Sequence, residues 1–373
     1  MFAFLISIVA NFFVLLAWIA YFYGKNARKE PLWETVKILL LGTLSILPVL
    51  LFHQWFLRKI AVIIQEIWPL FKNPFLSSLL ELTFLFFFIV FFIGLFSILH
   101  SVSLRLFFRL PFKQNFHTLY KHMYSLAPIL IFFIIFLSLE LLFNFSFGTS
   151  FVLSLAGSTI VFAVLEEYFK YIINPFLVYK KINSINTAMI HAIYVGLAFA
   201  FVENILFFYT SQSDPHLDQI VVYRSVFTTL LHIGTSGLIG YFYGLSSFSQ
   251  AMLTNYEIEK SRYSIPKWLQ GILKKTVAFE SISITQGFFL AAAIHVIFNY
   301  FLYLNLPIAA AVVSGFLGLI ILFLLNSELV NIQYGIIGSQ AMPTADFEKL
   351  RLRISVLEHL KEIQKERGEL PKS

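Results

Sequence analysis

The feature that most limits this chain is a succession of apolar runs of about 20 residues or more, with none of the alternation a barrel strand needs. In a bilayer every backbone polar group must be satisfied inside the spanning element, so runs of this kind read as membrane helices. Composition agrees: 58% of the 373 residues are apolar and only 13% are charged, far from the soluble globular range. The expected fold class is all-α, a polytopic transmembrane helix bundle.

Apolar runs give about nine spans, centred near residues 12, 46, 90, 137, 165, 198, 234, 294 and 316. The first is read as a retained span, because it lacks a basic leader and a clear cleavage site. Charge sets the orientation. Twenty-one Lys and Arg residues fall in the loops after odd-numbered spans and in the tail, against Arg58, Lys59 and Lys72 on the other side. The positive-inside rule then puts the N-terminus outside and the C-terminus in the cytoplasm. Lys37, Lys170 and Arg224 lie within or at the edge of spans; Arg224 and Glu140 read as isolated charges without a role. The formal charge of +7 reflects these loops, not nucleic-acid binding. Two amphipathic helices are expected outside the spans, an interfacial one over 57–72 and a cytoplasmic one in the tail, 344–373. No cysteine is present, so thiolate chemistry is excluded.

Chemistry gathers in four consecutive spans. The segment "LEEYFKY" places Glu166, Glu167 and Lys170 in lipid-soluble helix. Lys170 can neutralise one carboxylate; the other must find a partner on another helix, take up a proton or bind a cation. The next span carries Glu203 and Asn204, with Gly196 seven residues earlier on the same face, where a neighbouring helix can come close. His232, Thr235 and Ser236 share a face among small residues in the following span, and His295 and Asn299 stand one turn apart in the one after. Burying Glu166, Glu167, Lys170 and Glu203 costs roughly 10 kcal/mol on insertion scales, more than packing alone explains. Together they suffice for a metal site or a metal-free acid and base pair. Glu166 and Glu203, counted from opposite membrane faces, meet at one depth only if a helix tilts, is offset or breaks, as Gly157 or Pro175 would allow.

In order, "EEYFK", "FAFVEN", His232 with its small neighbours and "HVIFN" resemble the motifs of the PrsW family of intramembrane proteases, over about residues 150 to 325. The resemblance implies a multi-pass enzyme of the inner cell membrane that cuts a membrane-anchored protein such as an anti-sigma factor. It divides the chain into an N-terminal four-span accessory region (1–149), the catalytic bundle (150–326) and a cytoplasmic tail (327–373). By the same resemblance Glu166, Glu167, Glu203, His232 and His295 form the site, with Lys170, Asn204 and Asn299 in support. A divalent metal such as zinc, on Glu203, His232 and His295, is implied by the metallopeptidase classification of the family, while its CAAX-processing relatives argue for glutamate chemistry without one.

Three other readings compete. An ion or proton transporter would use the buried Glu and His groups as a path, but no repeat or pair of broken helices is visible. A rhomboid-like serine protease would use Ser236 in "GTSG" with His295, leaving all three glutamates unexplained. A non-catalytic scaffold would need those groups for stability alone.

Overall fold

The computed structural model describes residues 2–26, 31–51, 138, 155–178, 182–248, 276–327, 334–337 and 340–343. The long helices are α1 (Phe2–Lys25), α2 (Leu32–Leu44) continued by α3 (Ile46–Leu51), and α4 (Leu155–Val178). Then follow α5 (Ile185–Thr210), short α6 (Leu217–Tyr223), α7 (Thr229–Ser247), α8 (Thr276–Tyr303) and α9 (Pro307–Leu325). A π-helical turn, Arg224–Thr228, joins α6 to α7. Regular structure among the described residues is otherwise all helical, and one short antiparallel pair, β1 (Tyr334–Ile337) with β2 (Gln340–Pro343), follows α9.

Five segments are long and apolar enough to cross a membrane: Ala3–Lys25, Leu32–Leu51, Ile185–Thr210, Ser283–Tyr303 and Pro307–Leu325. The spans expected near 165 and 234 are helices too, α4 and α7, but α4 carries three charges and α7 is rich in Gly, Ser and Thr, so hydropathy does not mark them. The spans expected near 90 and 137, Glu140, and the amphipathic helices over 57–72 and 344–373 lie outside the described residues.

Local chemistry fixes the helix ends. Ser184 caps α5, its Oγ accepting from Thr187 N at 3.1 Å. Between α8 and α9, Asn305 takes a left-handed φ of 57°, a conformation asparagine tolerates better than most residues, and Pro307 opens α9 where its missing N–H costs nothing.

Helix α5 is the hub. It packs against α7, α2, α1 and α4, while α7 also touches α8 and α9, and α4 leans on α8. From Ile185 to Ala200 every α5 residue is buried. Lipid tails are as apolar as leucine, so this arrangement depends on close packing more than on the hydrophobic effect. Glycines on α7 supply it: a methyl at Gly240 would meet Ala188 O and Ala192 Cβ at 2.7 Å, and one at Gly244 would meet Ile185 Cα at 2.9 Å. A methyl at Gly42 of α2 would likewise meet the carbonyl oxygen of Val195 of α5 at 2.8 Å.

Candidate active site

Where α5 and α7 meet, a methyl on Gly196 would stand 2.5 Å from His232 O and from Ser236 Oγ, so the two backbones are in contact. The close approach expected at Gly196 is thus made by α7. It sets His232 beside α5 one to two turns before Glu203, and the His232 and His295 rings lie 5.3 Å apart between centroids. Helix α4 runs without interruption through Pro175 and presents Glu166, Glu167 and Lys170 near its middle. No helix break is needed. Glu203 stands toward the far end of α5, and His232 bridges the interval.

Hydrogen-bond roles follow from what each group can do. The Lys170 ammonium only donates, and its Nζ lies 2.5 Å from Glu167 Oε1 and 2.8 Å from His232 Nδ1. His232 Nδ1 therefore accepts, and its Nε2–H donates to Glu203 Oε2 at 2.8 Å. Glu167 Oε1 accepts twice more, from Thr235 Oγ1 at 3.0 Å and from His295 Nδ1 at 2.6 Å. That bond fixes His295 as the Nδ1–H tautomer, leaving a lone pair on Nε2.

The lone pair faces trouble of a useful kind. Its neighbour is Glu166 Oε2, 3.6 Å away, and that buried oxygen has no hydrogen-bond partner among the described residues. Two acceptors opposed in a buried site require something positive between them, a proton or a metal ion. Charge balance points the same way, since Glu166, Glu167 and Glu203 exceed Lys170 and Arg224 by one negative charge. Ligand atoms of Glu166, His232 and His295 all lie within 4.8 Å of one another, and all three residues are buried. Two imidazoles and a carboxylate are the donor type of many catalytic zinc sites, so the residues present fit a metal. Because both His232 nitrogens are engaged, a metal on that ring requires Lys170 or Glu203 to give one up.

Of the residues expected from sequence, Glu166, Glu167, Lys170, His232 and His295 therefore converge. Glu203 joins through His232 and is not one of the three grouped ligand residues; Glu166 stands in the group where Glu203 was expected. Asn204 takes no part in the centre itself and instead bonds Arg224. Asn299 is half-buried, and none of the hydrogen bonds described for the cluster includes it. Ser236 Oγ is buried without a hydrogen-bond partner among the described residues, so no serine and histidine pair forms.

Arg224, expected to be isolated, is not. Its Nη2 lies 2.5 Å from Glu203 Oε1, its Nε donates to Asn204 Oδ1 at 3.1 Å, and its guanidinium sits 4.1 Å from the Phe207 ring centroid. The rule that an intramembrane charge signals function unless paired, applied to Arg224 as to Glu166, would have found it. Thr235 was legible by its face but not by its partner. Asn11 of α1, which bonds Asn204, left only the trace of one amide in an apolar run.

The family model described as PrsW family intramembrane metalloprotease matches residues 122–326, just over half the chain. The match begins ahead of the expected boundary at 150. No curated protein and no solved structure matches.

Proposed function

Because this chain belongs to the PrsW family of intramembrane metalloproteases, and is by that membership a membrane-embedded peptidase, we propose that Glu166, Glu167, Glu203, His232 and His295 form its catalytic centre. Glu166, His232 and His295 would hold the metal, zinc by donor type. Bound there, zinc supplies Lewis acidity that polarises the scissile carbonyl and makes water a better nucleophile. The observation that carries this reading is the buried Glu166 oxygen opposed to the His295 lone pair at 3.6 Å.

The chain's own residues divide the remaining work. Glu167 orients His295 through Oε1, while its buried Oε2 has no partner among the described residues and can take a proton from the attacking water. Glu203 holds His232. Lys170 neutralises Glu167 and would give up His232 Nδ1 to the metal, and its ammonium is close enough to supply positive charge as the carbonyl oxygen turns anionic. Asn204 supports Glu203 through Arg224, and Asn299 stands one turn from His295 as a further orienting group.

The substrate is proposed to be a membrane-anchored protein of the anti-sigma type, and the setting an inner cell membrane crossed about nine times, N-terminus outside and residues 327–373 in the cytoplasm. An ion or proton path gives way to the family assignment.

The test is cleavage of a membrane-anchored reporter by the purified full chain in lipid nanodiscs, before and after chelation and zinc return. Cleavage should vanish with the metal and come back with zinc, and Glu166→Gln with Glu167→Gln should stay inactive. Undiminished cleavage by metal-free protein, or by that double variant, overturns the reading.

A further inference from the structure

We propose that Arg224 is a positioning residue of this centre and that Asn11, on the first helix and outside the family-matched segment, is its outer anchor. The pair holds Glu203 where it fixes the His232 ring. The inference rests on the reading of His232 as a site residue.

Glu203 has two hands. Oε1 takes Arg224 Nη2 at 2.5 Å and Oε2 takes His232 Nε2 at 2.8 Å. Its side chain is 27% exposed, the most of the three carboxylates, so burial alone does not hold it. The guanidinium is fixed on three sides, by Glu203, by Asn204 Oδ1 at 3.1 Å and by the Phe207 ring. A planar fork so engaged dictates where its carboxylate partner sits.

Backbone geometry adds to this. Arg224 opens the π-helical turn, and its carbonyl oxygen accepts from Thr229 N. The same oxygen lies 3.3 Å from Asn204 Nδ2. Such turns recur inside helices at functional sites because the widened helix redirects side chains.

Asn204 extends the chain of contacts outward. Its Nδ2 lies 3.3 Å from Asn11 Oδ1, and Asn11 Nδ2 donates to Phe201 O at 3.1 Å. An amide in a membrane helix is costly unless bonded. Only 11% of the residues in an 18-residue stretch of α1 are buried, yet Asn11 is 2% exposed. The first helix thus turns a polar residue inward at the level of Glu203, which makes it part of the catalytic unit.

The experiment compares Arg224→Ala, Arg224→Lys, Asn11→Ala and Lys25→Ala. Lys25 Nζ bonds Asn326 Oδ1 at 3.1 Å and ties α1 to α9 away from the centre, so it controls for helix docking. Metal-free protein with nitrogen-labelled histidine reports the His232 tautomer, assigned by loss of the signal in His232→Asn. Competition with a chromophoric chelator gives the zinc affinity, and reporter cleavage gives kcat and KM.

Arg224→Ala should change the His232 tautomer signal, weaken zinc binding roughly 10–100-fold and lower kcat with KM unchanged. Arg224→Lys should recover part of each, since an ammonium reaches Glu203 but cannot also make the fork to Asn204. Asn11→Ala should move the same readouts a few-fold, at the lower edge of such outer-shell effects, and Lys25→Ala should move none. If Arg224→Ala fails to accumulate, Arg224→Lys and Asn11→Ala decide. An unchanged tautomer signal and control-level zinc affinity, with only a lower melting temperature, would reduce Arg224 and Asn11 to packing residues. Should the protein cleave no reporter or bind no zinc, the proposed function fails, and the His232 signal still decides this inference.

Discussion

Helices α7 and α9 are each 19 residues long and lie against one another, yet they are built on opposite plans. Helix α9 has a mean hydropathy of 2.8 over its span, and Ile308, Val312, Phe316, Leu319 and Phe323 form an outward stripe. Helix α7 carries four glycines and His232, and from Leu231 to Gly240 every residue is buried. Hydropathy marks a helix by its apolar content, so α9 is marked as a membrane span while α7, which carries the buried His232, is not. Protein enclosure lets α7 be polar, and polarity lets it hold His232 and Thr235 in the buried cluster.

The largest expected effect breaks the comparison at its centre. His232→Ala should lower reporter cleavage roughly 10²–10⁴-fold, as loss of an essential acid, base or ligand group does, while the protein still accumulates in membranes. The measurement is single-turnover cleavage at saturating reporter. Activity within tenfold of the parent would mean that the buried polar face of α7 serves packing and not reaction.

Next comes packing itself. Gly240→Val places a methyl against Ala188 O and Ala192 Cβ, each 2.7 Å from the ideal Cβ position. Backbone cannot yield there, so the variant should lose about 1–3 kcal/mol, read as a lower midpoint of unfolding in detergent. Gly240 stands two turns from His232, so zinc affinity of the folded fraction should persist. A matched loss of zinc binding would show that α7 moves as one rod and that site and packing are not separable.

How much of this was readable beforehand depended on the kind of signal. Charges in apolar runs are conspicuous because they are costly, and so Glu166, Glu167, Lys170 and Glu203 stood out, with the histidines in register. Partner choice was not readable. Glu166 and Glu167 are adjacent, and only the three-dimensional position of Thr235 and His295 decides that Glu167 is the bonded carboxylate. Arg224 was hidden by its place at a helix edge, where snorkelling is an ordinary fate. Asn11 was hidden more deeply, since a single amide says nothing about which helix it will face. In the fold, α4 and α7 were visible as helices through motif and small-residue content, whereas the β1–β2 pair had a legible signal, Gly338 and Ser339 between two short apolar runs, that was overshadowed by its place between the last span and the charged tail.

A smaller effect tests Ser236 of α7 as a nucleophile against water activated at the glutamate and histidine cluster. Ser236 Oγ is buried with no hydrogen-bond partner among the described residues, and removing an unsatisfied polar atom relieves a desolvation cost of about 1–3 kcal/mol. Ser236→Ala should therefore unfold no earlier than the parent and cleave the reporter at the same rate. A loss of cleavage without loss of zinc would instead make this hydroxyl part of the reaction.

The smallest effect belongs to the outer stripe of α9, and its meaning depends on the residue next to it. Phe316 is 65% exposed and Leu317 is 2% exposed, packed on Gly234 of α7. Shortening Leu317 to Ala opens a cavity inside protein and should cost about 2–5 kcal/mol. Phe316→Leu exchanges one apolar surface for another against lipid tails that are themselves apolar, so stability should change by under about 0.5 kcal/mol. Cleavage of the reporter should not change either. If Phe316→Leu lowered kcat/KM while leaving the unfolding midpoint fixed, lipid could not be what that face meets in the working enzyme. The stripe would then be where an apolar segment of the substrate lies, and the contrast between α7 and α9 would be one of reaction against recognition instead of protein against lipid.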